Sequence, residues 1–263
     1  MSPLSAAALL LCTAVLLLYA RRVRRFGRAC HPRLGATPGS ALLPGSVVEA
    51  FYWAFQAPGR WLARLGVDPD VVTFLALACS LASVPLLATG HLAWGAVAVG
   101  VGGILDALDG MVARLRGRAS PGGAVLDAVL DRLSDSAPFA GLVVFYRSSV
   151  AAVLLLLAAL VASSLVSYAR ARAEACGLRL PEGIMRRHER IAYLVLALLI
   201  APLIPGAAVP YPLLLAAVTL IAVGGFAGAA ILVARARAAL ACPDPGAPPL
   251  SPTPGSPLER AAR

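Results

Sequence analysis

The chain has no lysine, so its formal net charge of +10 comes from arginine alone. Charge of either sign is scarce, at 14% of the 263 residues, against about 25% in an ordinary soluble domain. With 59% apolar residues and a mean hydropathy of +0.81, this scarcity excludes a soluble globular chain. The length would hold one or two soluble domains, but the apolar runs leave little soluble sequence, and a single helical membrane domain is the simplest account. Cysteine pairing is also absent. Cys12, Cys30, Cys79, Cys176 and Cys242 stand singly, without a CxxC pair or a histidine at zinc spacing, which excludes a zinc site and a disulfide framework. No positive charge precedes the first apolar run and no small-residue cleavage site follows it, so that run is not a cleaved signal peptide. The arginines flank apolar runs instead of forming a soluble basic face, which argues for membrane topology and against nucleic acid.

What is present is a series of apolar segments. Leu4 to Ala20 is long enough to span and is followed by Arg21, Arg22, Arg24, Arg25 and Arg28. It reads as an N-terminal anchor with its basic flank inside, over residues 1–30. A Pro/Gly-rich linker follows, then an aromatic- and arginine-bearing segment that suits an interfacial helix interrupted near Pro58, together covering 31–66. Six further spans follow within 67–240: Val71 to Ala88, His91 to Leu115, Ala124 to Phe145, Val150 to Arg172, Arg190 to Ile204 and Tyr211 to Val233. The expected fold is an all-α integral membrane protein, a six-helix core with an anchor and a juxtamembrane helix. Residues 241–263 are proline-rich and are expected to be disordered. Gly224 and Gly228 form a GxxxG on the last span, which fits a dimer contact or a contact within the chain equally well.

Arginines gather after the anchor, at Arg114, Arg116 and Arg118, at Arg179, Arg186 and Arg187, and at Arg235 and Arg237; the other connections carry only Arg147. The positive-inside rule then places all the arginine-rich connections on the cytoplasmic side of the cell membrane.

One of those connections adjoins DALDGMVARLRGRASPGGAVLDAVLD, Asp106 to Asp131. Asp106 and Asp109 stand three apart on one predicted helix, Asp127 and Asp131 four apart on the next, so each pair shares a helix face. The short connection predicts antiparallel neighbours whose pairs converge. Four carboxylates at membrane depth cannot all ionise without compensation, and hard oxygen ligation suits Mg2+ or Mn2+, which keep positions open for substrate phosphate. Gly110 and Gly123 let a large ligand approach the backbone, and Arg114 stands about 7 to 8 Å beyond Asp109 along the helix, where a guanidinium binds phosphate. The constellation reads as a metal-bridged pyrophosphate site. Two alternatives are interhelical ion pairs with Arg114, Arg116 and Arg132, and an ion-binding transporter.

This pattern resembles the signature of the CDP-alcohol phosphatidyltransferase family, DxxDGxxAR, eight residues, then GxxxDxxxD, with every defined position matched. The resemblance extends from about Pro69 to Arg237. VDPDVVT is similar to the family's segment at the start of the first core helix, with Asp70 where many members have asparagine. The resemblance implies transfer of a phosphatidyl group from CDP-diacylglycerol to an alcohol with release of CMP, in a six-helix core that is usually dimeric. It implies that Asp106, Asp109, Asp127 and Asp131 face the metals, that Asp131 is also the catalytic base, and that Gly110, Arg114 and Gly123 hold the CDP portion.

Between Ser164 and Leu194 a second arginine-rich stretch places Ser167 and Arg170 one turn apart, with Arg190 at the start of the next span. Together they fit an anionic pocket for an acceptor that already carries a phosphate. This stretch, with LDRLSD after the signature, resembles the bacterial phosphatidylinositol-phosphate synthase branch of the family. That resemblance implies inositol phosphate as acceptor, held by Ser167, Arg170 and Arg190 with Arg235 or Arg237. Arg170 stands where that branch commonly has lysine, and MRRHER carries an additional Arg186 and His188, so another phosphorylated polyol such as glycerol 3-phosphate is the alternative. His188 and His91 are assigned no catalytic role.

Overall fold

The computed structural model describes residues 3–27, 45–118, 120–178, 180, 183–203 and 210–241. Arg28, most of the linker, Arg179 and the proline-rich tail lie outside the described residues. Eight α-helices are present among those described, without strands: α1 (Pro3–Phe26), α2 (Gly45–Arg64), α3 (Pro69–Ala88), α4 (Leu92–Leu115), α5 (Pro121–Phe145), α6 (Val150–Ala175), α7 (Arg187–Ile200) and α8 (Pro212–Ala241).

Local chemistry sets the helix ends. Asp68 caps α3 by accepting from the Asp70 amide, with Pro69 in the first turn; Ser120 caps α5 by accepting from the Gly123 amide at 3.0 Å, ahead of Pro121. Gly66, Gly90, Gly117 and Gly177 take positive φ just beyond α2, α3, α4 and α6, the conformation that closes a helix C-terminus.

The expected interruption of α2 is not found. α2 is continuous through Pro58, because Gly59 lies buried against Leu108 and Met111 of α4 and tertiary packing offsets the lost backbone bond. Five helices are each long and apolar enough by themselves to cross a membrane: α1, α3, α4, α6 and α8. α5 falls outside because it carries Asp127, Asp131, Arg132 and Asp135, and α7 because it has only 14 residues, about 21 Å of helix. These two helices give up apolar length to carry charge.

α3 packs along both α4 and α5, while α4 and α5 touch each other only sparsely. The expected tight α4/α5 hairpin is therefore opened by a third helix. The buried side of α3 is small, with Thr73, Ala76, Ser80 and Ser83, which allows close helix approach without a large side-chain layer. Repulsion among like charges on α4 and α5 opposes direct packing of that pair. α6 packs chiefly on α8, and α7 joins the halves by contacting α4 and α8. The core, including Leu87, Leu142, Leu156, Leu198, Leu214 and Ile221, lies among α3–α8. α1 is tied to α2 by Tyr19, whose hydroxyl donates to Glu49 Oε2 at 2.8 Å and whose ring meets Trp53.

Candidate active site

The aspartates of α4 and α5 do converge. One carboxylate oxygen from each of Asp106, Asp109 and Asp127 falls within a 4.8 Å span. Asp109 is buried, and its Oδ2 has no hydrogen-bond partner. A buried oxygen of this kind is costly unless something positive reaches it. Three carboxylates brought this close, one of them with an unpartnered buried oxygen, fit a divalent cation with positions left over for phosphate oxygens or water.

Beside Asp131 lies a guanidinium. Arg187, the first residue of α7, places Nη1 2.9 Å from Asp131 Oδ1 and hydrogen-bonds Asp106 Oδ2 with the same nitrogen; its Nε donates to Asp135 Oδ1 at 2.8 Å. The cation at the acids is thus neither Arg116 nor Arg132. Arg116 donates to the carbonyls of Gly66 and Val67 at 2.7 and 2.6 Å, and Arg132 turns back along α5 to the Ala128 carbonyl. Asp135 and Arg187 had no assigned role in the sequence. Asp135 continues the four-residue series of Asp127 and Asp131 on one helix face, a signal that was there to be read.

The CDP candidates flank the cluster along their helices, Gly110 next to Asp109 and Gly123 one turn before Asp127. Arg114, exposed at the end of α4, brings its guanidinium back over Gly110, where a side chain's Cβ would sit 3.3 Å from Nη1. Gly123 lies in the first turn of α5, whose backbone N–H groups and dipole favour an anion.

Of the acceptor candidates, the structure joins two. Arg190 Nη2 lies 3.4 Å from Ser167 Oγ and 3.1 Å from Asp135 Oδ2, and Nη1 donates to the Met185 carbonyl at 2.8 Å. Arg170 is half-buried beside Arg186, and burial together with that neighbour pushes the Arg186 guanidinium below its ordinary value. Arg235 is exposed on α8 and makes no hydrogen bond or ion pair among the described residues. Arg237 lies at the rim of an apolar groove between α6 and α8, with Arg172. Neither is drawn into the Ser167–Arg190 set, since both lie beyond the stretch of α8 that meets the loop before α7.

That loop is held by α8. Met185 is fully buried with φ +56, and its side chain fills the space where a Cβ on Gly224 would stand 2.6 Å from Met185 Cε. A Cβ on Gly228 would likewise stand 2.9 Å from the Ile184 carbonyl oxygen. The GxxxG of the last helix therefore serves a contact within the chain. Glu189, fully buried, accepts from the Arg186 amide at 3.1 Å and fixes the first turn of α7. Arg187 and Arg190 follow from that turn. Beneath them lies a small cavity lined in part by Ser80, Ser134, Ser163 and Asp135.

The family model described as CDP-alcohol phosphatidyltransferase matches residues 67–239. Phosphatidylinositol phosphate synthase of Mycobacteroides abscessus is 46% identical over 134 residues, 49% of this chain and 61% of that protein. The protein of the same name from Streptomyces avermitilis is 34% identical over 210 residues, 75% of this chain and 82% of its own length. This chain spans about three fifths of the length of the mycobacterial relatives it matches, 61% and 62% for two of them. Among solved structures, Mycobacterium tuberculosis phosphatidylinositol phosphate synthase with CDP-DAG bound superposes with a TM-score of 0.61 at 35% identity, over 72% of this chain and 94% of that one. The same protein in complex with manganese and citrate gives 0.60 at 35% identity, over 72% and 90%.

Proposed function

This chain belongs to the CDP-alcohol phosphatidyltransferase family, and we propose that it transfers the phosphatidyl group of CDP-diacylglycerol to inositol phosphate, releasing CMP and forming phosphatidylinositol phosphate. The observation that carries the reading is the pairing of two unlike poles: the Asp106–Asp109–Asp127 cluster and, across Asp131 and Asp135, the Ser167–Arg190 contact. A donor pyrophosphate needs the first pole. An acceptor that already bears a phosphate needs the second. The naming of the relatives and the CDP-DAG in the solved neighbour support the same choice.

Asp106, Asp109 and Asp127 would hold a divalent cation, Mg2+ or Mn2+; the manganese complex of the neighbour supports this ligand class. The bound cation supplies charge stabilisation for the pyrophosphate and the departing CMP. Arg114 and the α5 N-terminus bind and orient the CDP phosphates, with Gly110 and Gly123 leaving room for them. Ser167, Arg170 and Arg190 bind the acceptor phosphate and aim its hydroxyl. That oxygen bonds to the phosphatidyl phosphorus as the bond from phosphorus to the bridging CMP oxygen breaks. Its proton passes to Asp131. Acyl chains stay in the bilayer, and the arginine-rich connections support a reacting end at the cytoplasmic face. The outward apolar faces of α5 and α6, including Val125, Val129, Leu154 and Leu157, suit lipid or the second copy of a homodimer.

The test is to incubate purified protein and CDP-diacylglycerol with magnesium and each of inositol phosphate, inositol, glycerol 3-phosphate and serine, identifying the lipid by mass spectrometry. Phosphatidylinositol phosphate is the expected product, lost with EDTA. Product only with glycerol 3-phosphate would replace the acceptor and keep the donor site.

A further inference from the structure

Arg187 is gripped at two ends by different carboxylates. Its Nε is on Asp135, which lies outside the Asp106–Asp109–Asp127 trio and is also bound by Arg190. Its Nη1 is on Asp106, a member of the trio, and on Asp131. The side chain is only 21% exposed and the acids it meets are 18%, 15% and 11% exposed, so these charges interact with little screening by water. A metal ion held by the Asp106 carboxylate competes with Nη1 for the same negative charge. A guanidinium and a divalent cation at neighbouring positions on one carboxylate also repel each other. The Asp135 end is free of that conflict.

We propose that Arg187 is an internal counter-ion with two positions, which couples metal loading to acceptor binding; the inference rests on reading the aspartate trio as a divalent-cation site. Before a cation binds, Nη1 bridges Asp106 and Asp131 and supplies the positive charge those acids require. When a cation enters, Nη1 leaves Asp106 and Asp131 while Nε stays on Asp135. The freed edge of the guanidinium then stands one helical turn from Arg190 on α7 and adds to the positive field facing the acceptor phosphate. Release also leaves Asp131 without its guanidinium partner at the stage when it must accept a proton. Arg187 is thus a positioning residue through which the cation and the phosphorylated acceptor each favour binding of the other.

Coupling between two binding sites is reciprocal. An acceptor phosphate that holds Arg187 in its second position must tighten cation binding by the same factor as the cation tightens the acceptor. Removing the guanidinium does two things: it frees Asp106 from competition, and it breaks the link.

The experiment is Mn2+ binding by electron paramagnetic resonance on the purified full chain in nanodiscs, with and without inositol phosphate, CDP-lipid being absent. For the unsubstituted protein, inositol phosphate should tighten Mn2+ binding by roughly five- to tenfold, within the ordinary range of such couplings. Arg187→Gln should bind Mn2+ roughly tenfold more tightly than the unsubstituted protein, with no further gain from inositol phosphate, a loss of linkage like that expected of a broken two-state coupling. Arg187→Lys, which keeps the charge without the two-ended fork, should hold the Mn2+ affinity near the original and lose the coupling, and it serves if the glutamine variant does not fold. Unchanged or weaker Mn2+ binding in Arg187→Gln, or in Arg187→Lys coupling to inositol phosphate as strong as in the original, would overturn the proposal. If the unsubstituted protein binds no Mn2+ at all, the metal reading itself falls, and this inference with it.

Discussion

The two poles of the acidic chamber are built in opposite ways. At the α4/α5 pole, every candidate side chain follows from spacing along two helices: Asp106 and Asp109 one turn apart, Asp127 and Asp131 one turn apart, with Ser120 and Pro121 starting the second helix in register. At the α7 pole, Arg187 and Arg190 are placed by a loop whose shape comes from elsewhere, through Met185 seated against Gly224, Ile184 against Gly228 and Glu189 closing the first turn. Local geometry specifies a site that tolerates little change in its own residues. Tertiary geometry specifies a site that can be damaged from a distance.

Asp131→Asn is expected to have the largest effect. Losing a general base costs roughly 10²- to 10⁴-fold in turnover, while CDP-lipid binding should stay within a few-fold, since asparagine keeps the shape and Asp106, Asp109 and Asp127 are untouched. Turnover assays with and without a CDP-lipid binding measurement separate the two; near-normal turnover would remove Asp131 from the proton transfer.

Gly224→Leu comes next and tests damage from a distance. The new side chain overlaps Met185, and overpacking of this kind costs about 1–3 kcal/mol. The expected outcome is a lowered Tm and a raised KM for the acceptor, with the KM for CDP-diacylglycerol little changed. If both KM values rise together, the α8 contact supports the whole site and the two poles are not separable.

The reading of the sequence succeeded and failed along the same division. The eight helices and the convergence of the aspartates were legible because capping, apolar run length and helical spacing are local properties. The third-helix position of α3 between α4 and α5 was not, because the small residues Ala76, Ser80 and Ser83 carry no direction by themselves. Pro58 misled for a similar reason: a proline states a local cost, and the contact of Gly59 with α4 offsets it. Arg187 stood among several arginines that topology alone would put in that connection. Nothing in its neighbourhood distinguished it until the positive-φ Met185 turned it toward Asp135. Arg235 and Arg237 show the other side of this, since a basic residue at a helix end satisfies the topology without meeting Ser167 or Arg190.

The smallest effect is expected for Arg118→Ala. Arg118 pairs with Asp68 at 2.7 Å, but both side chains are about half exposed, and exposed pairs contribute about 1 kcal/mol or less. Thermal unfolding should shift slightly and both KM values should stay unchanged. A marked kinetic effect would extend the donor pole to the α2–α3 turn.

The most direct test of the division between the poles is the pair of KM values for Arg190→Ala, one titrated with inositol phosphate and one with CDP-diacylglycerol. Loss of a charge-assisted bond to phosphate costs about 1.5–3 kcal/mol, so the acceptor KM should rise roughly ten- to a hundredfold, with the CDP-diacylglycerol KM within about twofold. An equal rise in both, or a rise for CDP-diacylglycerol alone, would contradict the account and place Arg190 on the donor side.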